Sequence, residues 1–183
     1  MKSDWSEILQ RRVELYGHRN WIVVADSAYP AQANEGIETI LVNQDQTAVV
    51  ESVVEVLRGS RHVTPTIYTD KELQFIPEQD APGIASFRKR LAAILLPYAV
   101  CNLPHEEIIA QLDRAGRLFQ VLVIKTSACI PYTSVFFELG CKYWDGQAET
   151  RLRTAMQSRS RHQRSRRPKG RRSLPVQGSP VRR

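Results

Sequence analysis

The 183-residue sequence contains no run of ~18 or more apolar residues, so a membrane-spanning helix is not expected. The start, Met1-Lys2-Ser3-Asp4-Trp5 followed by Glu7, Arg11, Arg12 and Glu14, lacks the uninterrupted apolar stretch of a signal peptide. Cysteine is scarce. Cys101, Cys129 and Cys141 are odd in number and show no CxxC spacing, which argues against a disulfide framework or zinc site and for reduced thiols, packed as small apolar residues, in a cytoplasmic protein. A glycine-rich phosphate loop is missing as well. After the first apolar run stands Asp26-Ser27-Ala28-Tyr29-Pro30-Ala31, not Gly-x-Gly-x-x-Gly, and this removes a dinucleotide-binding reading. Acidic residues are absent from 151–183, which carries twelve Lys/Arg, so residues 1–150 hold 14 basic against 19 acidic residues, a net of −5. The chain's +7 is therefore a property of its tail.

What is present reads as one domain over 1–150 and a basic Arg/Ser-rich tail over 151–183. Trp5, Ile8, Leu9, Val13 and Tyr16 recur at helical spacing, predicting a helix over 4–16. Trp21–Ala25 is a continuous β-branched run of the kind buried on both faces of a parallel sheet. Strands are further expected at 38–42, 64–69, 121–125 and 134–139. Helices are expected at 45–58, 86–96 and from Leu103 to about Arg117, and 70–77 is ambiguous. This alternation predicts a three-layer α/β/α fold with a largely parallel or mixed sheet, whose ligands bind at the carboxyl ends of the strands, where Asp26 and Lys125 fall. From about Thr150 the Ser/Arg/Pro-rich sequence offers too little to bury and is expected to be disordered.

Two blocks carry a recognisable signature: Gly17-His18-Arg19-Asn20-Trp21-Ile22-Val23-Val24-Ala25-Asp26-Ser27-Ala28-Tyr29-Pro30, and Val123-Ile124-Lys125-Thr126-Ser127-Ala128-Cys129-Ile130-Pro131-Tyr132-Thr133-Ser134-Val135-Phe136-Phe137. Over about 13–145 they resemble the D-ribose pyranase/L-fucose mutarotase (RbsD/FucU) family, with its Gly-His, hydrophobic strand, Asp and Pro, and its late Tyr-x-Asn segment. The resemblance implies a cofactor-independent sugar isomerase, acting on an aldose such as ribose or fucose, in a ring-like homo-oligomer with sites near subunit interfaces. It further implies His18 as catalytic acid/base, Asp26 as its support, Tyr132 as a sugar contact, and His105 as a further family histidine. Ser134 stands where the family has Asn.

The residue types suit that chemistry in their own right. Ring opening needs one group to take the anomeric hydroxyl proton and another to protonate the ring oxygen, and histidine can do either near neutrality. Lys125 can stabilise a developing oxyanion, Tyr29 can offer an aromatic face to a sugar, and Ser134 can hydrogen-bond a hydroxyl. No metal or cofactor is called for. Taken singly, each has a plainer reading: His18 as an exposed loop residue, Asp26 as a turn or cap, His105 as part of a solvated first helical turn. Tyr132 then packs at a turn, and Lys125 and His62 are solvated. Two rival functions stand beside it: a non-catalytic sugar-binding protein, favoured by Ser134, and a nucleic-acid-associated protein acting through the tail, whose arginines can neutralise phosphates although no aromatic follows Trp144 to stack on bases.

Overall fold

In the computed structural model, residues 4–165 are described, with side chains for 5–157. The chain runs α1 (Asp4–Leu15), β1 (Trp21–Ala25), β2 (Ile37–Leu41), α2 (Gln46–Gly59), β3 (Val63–Asp70), a 3₁₀ turn (Lys71–Gln74), α3 (Ile84–Leu95), β4 (Val100–Leu103), α4 (His105–Gly116), β5 (Val121–Lys125), β6 (Val135–Cys141) and α5 (Gly146–Ser165). It divides into two units between Tyr143 and Trp144.

The first unit holds a six-stranded sheet in the order β2-β5-β1-β6-β3-β4, an α/β architecture. β6 runs antiparallel to both its neighbours and the other pairs are parallel. Successive strand side chains point to opposite faces, so a strand covered on both faces must be apolar at every position. In β1 every residue is buried: Ile22 and Val24 meet α1, α2 and α3, whereas Trp21, Val23 and Ala25 share a second cluster with Ile108 and Leu112 of α4. The layers are therefore unequal, three helices against one. Asp45 begins α2 by accepting the backbone N–H groups of Thr47 and Ala48, satisfying two of the amides a helix start leaves unbonded.

Several expectations are corrected. β4 was not anticipated: its four residues pair only with β3, at the sheet edge, and are half exposed, so they lack the buried-strand pattern. Leu103 closes that strand, and α4 starts after Pro104. The ambiguous 70–77 segment supplies the end of β3 and one 3₁₀ turn. The cysteines are free thiols, but Cys101 and Cys129 are exposed and Cys141 half-buried, not packed in the core. His62 is half-buried, its Nε2 2.9 Å from the Tyr16 carbonyl and its Nδ1 3.1 Å from Ser60 Oγ. The tail is helical as far as Ser165, because Asp145 caps the start, Glu149 pairs with Arg153 one turn on, and Ala, Gln, Arg and Met are strong helix formers. The expectation of disorder for 166–183 falls outside the described residues. No helix among the described residues is long and apolar enough to cross a membrane.

Candidate functional site

Because β6 is antiparallel, its first residue lies at the edge where the other strands finish. Val135 pairs with Val24 of β1 and Thr69 of β3, Ala25 pairs with Lys125, and Asp70 with Leu103. One edge of the sheet thus gathers Asp26 and Tyr29 after β1, Lys125 at the end of β5, Asp70 at the end of β3, His105 after β4, and Tyr132 to Ser134 entering β6.

His105 opens α4, and its backbone N–H donates to both carboxylate oxygens of Glu72, each at 3.1 Å. The Glu72 carboxylate takes the place of a capping side chain at this helix start and suits the positive end of the helix dipole. The imidazole Nδ1 lies 3.1 Å from Asp70 Oδ1, and the His105 side chain is 30% exposed where that of Asp70 is fully buried. Asp70 Oδ2 has no hydrogen-bond partner. Burial pushes the Asp70 carboxyl up to about 6; the hydrogen bond and charge of His105 oppose the rise, and the negative charges of Glu72 and Asp26 add to it. The Tyr132 ring meets the His105 ring edge to face, with centroids 5.5 Å apart. A histidine held at one nitrogen by a buried carboxylate keeps its other nitrogen free for proton transfer.

The loops that carry these groups are tied together. Thr126 Oγ1 donates to the Ala25 carbonyl at 3.0 Å, and the Ser27 N–H to the Ala128 carbonyl at 2.8 Å, joining the loops after β1 and β5. Gln46, the first residue of α2, donates its amide to the Thr133 carbonyl at 2.7 Å and accepts from Thr133 Oγ1 at 3.2 Å. That anchor holds Tyr132 in the left-handed region at φ 56°, unusual for a non-glycine residue and indicative of backbone strain. Ser134 is buried beside it, and Tyr132 stays 41% exposed. Lys125 Nζ donates to the Tyr29 carbonyl at 2.7 Å. The buried Tyr29 hydroxyl has its pKa raised by burial, with Asp113, Asp70 and Asp26 contributing negative charge. Asp26 accepts the Ala28 N–H at 2.8 Å and shapes the turn. Among the described residues, no three His, Cys, Asp or Glu side chains gather so as to hold a metal ion.

The exposed His18 is the exception. It precedes β1, and Arg19 next to it donates its N–H to the Leu139 carbonyl at the far end of β6. Five residues of strand at ~3.3 Å each separate it from Asp26. Within one chain His18 and Asp26 do not meet, and His18 and Tyr132 lie at opposite edges.

The family profile described as the RbsD / FucU transport protein family matches residues 6–142. The chain belongs to that family. The match spans both signature blocks and ends before α5. Among solved structures, Bacillus subtilis RbsD complexed with D-ribose is 17% identical with a TM-score of 0.52, over 76% of this chain and 93% of that one. FucU from Bifidobacterium longum is 14% identical with a TM-score of 0.52, over 73% and 94%. At such identities the likeness is one of fold. No curated protein matches the sequence. The residues of this site that sequence reasoning missed are Asp70 and Glu72. The strand-end rule that singled out Asp26, the residue after the strand at 21–25, applies equally to Asp70, the residue after the strand expected at 64–69.

Proposed function

We propose that this protein is a cofactor-independent monosaccharide mutarotase or pyranase, interconverting ring forms of an aldose such as ribose or fucose at the carboxyl edge of its sheet. Family membership supports the reaction class, and the solved Bacillus subtilis relative is complexed with D-ribose. The observation that carries the reading for this chain is the His105–Asp70 pair facing Tyr132.

In the forward step a base takes the proton of the anomeric hydroxyl while an acid gives one to the ring oxygen. The bond between the anomeric carbon and the ring oxygen breaks, leaving an open-chain aldehyde with no net change in protons. Rotation about the next carbon–carbon bond and re-addition of a hydroxyl, with the two proton transfers reversed, closes the other ring form. The His105 Nε2 is the exchanging group, and Asp70 sets the tautomer through Nδ1 and stabilises the imidazolium. Tyr132 and Ser134 hold sugar hydroxyls, and Lys125, carried on the Tyr29 carbonyl, offers positive charge to the developing oxyanion. His18 joins such a site only from a second copy, which fits a homo-oligomer with sites near its interfaces.

Exchange NMR on ribose, fucose, galactose and related aldoses tests this. Wild type accelerates ring-form exchange for at least one sugar, and His105→Ala abolishes the acceleration. Saturation-transfer binding with no acceleration by wild type would leave the non-catalytic reading, which Ser134 in the usual Asn position favours.

A further inference from the structure

A cavity of about 520 Å³ lies between α3 and the edge strand β4, on the face of the sheet opposite α4. Small-molecule sites fall in this size range, roughly 300–1,000 Å³. Leu91 and Leu95 of α3, Leu96, Tyr98 and Val100 make its wall largely apolar, and Leu96 is left 83% exposed. The polar groups have one bias. No carboxylate lines the cavity, and Arg88 is the cation on its wall. Arg88 Nη1 donates to the Leu73 and Ile76 carbonyls, each at 3.0 Å, and its other two nitrogens make no hydrogen bond or ion pair among the described residues. The acid that feels its charge, Glu78, is already held by the Gly83 and Ala85 N–H groups at 2.6 and 2.9 Å. Asn102 Oδ1 accepts from Thr69 Oγ1 at 2.8 Å and from Gln74 Nε2 at 3.4 Å, which leaves the Asn102 amide N–H groups to donate.

We propose that this cavity binds a monocarboxylate with an apolar body, and that its occupancy is felt at His105. The unused donors of Arg88 and Asn102 call for an acceptor, and a guanidinium pairs with a carboxylate through two parallel N–H bonds. One guanidinium balances one negative charge, which suits a carboxylate better than a phosphate monoester carrying nearly two. A sugar would bury hydroxyls against the leucines without partners, at a cost in free energy that an alkyl or aryl body does not carry. The link to His105 runs through β3 and the turn that follows it. Strand side chains alternate, so Thr69 and Asn102 face the cavity while Asp70 and Leu103 face α4. Leu73 and Gln74 of the 3₁₀ turn line the cavity, and Glu72, one residue earlier, holds the His105 N–H. A carboxylate that competes for Arg88 loosens its hold on the Leu73 carbonyl, and the turn carries that change to Glu72 and His105.

Saturation-transfer NMR on the full chain, titrated with octanoate, octanol or octylammonium at one pH, tests this. Octanoate should bind at least about tenfold tighter than octanol, and octylammonium weaker than either. Arg88→Gln should weaken octanoate by roughly 10- to 100-fold, the loss of a charged hydrogen-bond donor, and leave octanol unchanged. Because Arg88 also braces the turn, Ala92→Phe is the second variant. It fills the cavity from an exposed position of α3 and leaves the Arg88 bonds in place. Ala92→Phe should abolish binding of octanoate and octanol alike, with unchanged melting. The response at His105 is read without any sugar: its imidazole carbon–proton signal should shift when octanoate is added to wild type and stay fixed in Ala92→Phe. Octanoate that binds no better than octanol, an unweakened Arg88→Gln, octanoate retained by Ala92→Phe, or a stationary His105 signal would each overturn the proposal. A cavity closed by a second copy would overturn it too, seen as no octanoate binding to wild type and a smaller sedimenting mass for Ala92→Phe.

Discussion

Replacing Asp70 by Asn separates what this carboxylate does for the fold from what it does for chemistry. Asp70 is fully buried, one oxygen on His105 Nδ1 and the other without a partner, and its pKa is pushed up to about 6 from 3.8. A carboxyl whose folded value is raised binds protons more tightly when folded. Stability therefore falls as pH rises through the unfolded value and on to about 6, and stays lowered above that. The displacement corresponds to about 3 kcal/mol. Asn cannot ionise and lacks this penalty, although its buried amide brings a pH-independent cost of its own, roughly 1–3 kcal/mol where a donor is left unpaired. Urea melts of both proteins between pH 4 and 7.5 cancel that constant. The stability difference should move in favour of Asp70→Asn by roughly 2–3 kcal/mol as pH rises. Activity moves the other way. Without the charged acceptor the imidazolium loses a hydrogen bond worth about 1.5–3 kcal/mol, so exchange slows by roughly 10- to 100-fold, and the wild-type acid limb near pH 6 disappears. A stability difference that is flat with pH, or undiminished exchange in the variant, would refute the assignment.

Other substitutions test the surrounding parts. His105→Ala should lower sugar exchange by ~10²–10⁴-fold, read by exchange NMR, because it removes the acid/base group itself. Tyr132→Phe keeps the ring packed edge to face on His105 and removes one hydrogen bond to a sugar hydroxyl. A fall of up to about tenfold in kcat/KM with unchanged melting is expected for a side chain 41% exposed. Leu112→Ala, at a fully buried position of α4, should destabilise the fold by about 2–5 kcal/mol in chemical denaturation, because α4 alone covers its face of the sheet.

Much of this arrangement was legible in the residue pattern, and the parts that were not have identifiable causes. Trp21–Ala25 and Val121–Lys125 read as strands buried on both faces because no polar residue interrupts them before Lys125, and they pair in register at the middle of the sheet. β4 left no such trace, since an edge strand of four half-exposed residues needs no alternation. For α5 the composition suggested disorder, yet local capping and propensity sufficed for a helix whose described residues from Thr150 on are all exposed. In the site, the strand-end rule located Asp26 and Lys125. Assigning Asp26 to His18 overlooked the rise of an extended chain, which carries residues eight apart to opposite ends of β1. The partner of His105 comes from β3, 35 residues earlier, and no local pattern encodes that pairing.

The position of His18 sharpens the question of assembly. If it takes part in catalysis, the edge of one protomer that bears His18 must face the cleft of another, and each working site then draws His18 and His105 from different chains. Such an interface either repeats head to tail and closes into a ring or is exchanged reciprocally across a two-fold axis. Both arrangements make the same demand on mixed oligomers. With His18→Ala and His105→Ala chains each inactive alone, unfolding and reassembling them in equal amounts leaves about one site in four with both histidines intact, so about a quarter of wild-type exchange should return. Full activity in His18→Ala alone would remove that residue from the reaction and leave the His105–Asp70 pair as the complete acid/base system. Two inactive variants that stay inactive on mixing would require both histidines of one chain in one site, which the length of β1 forbids.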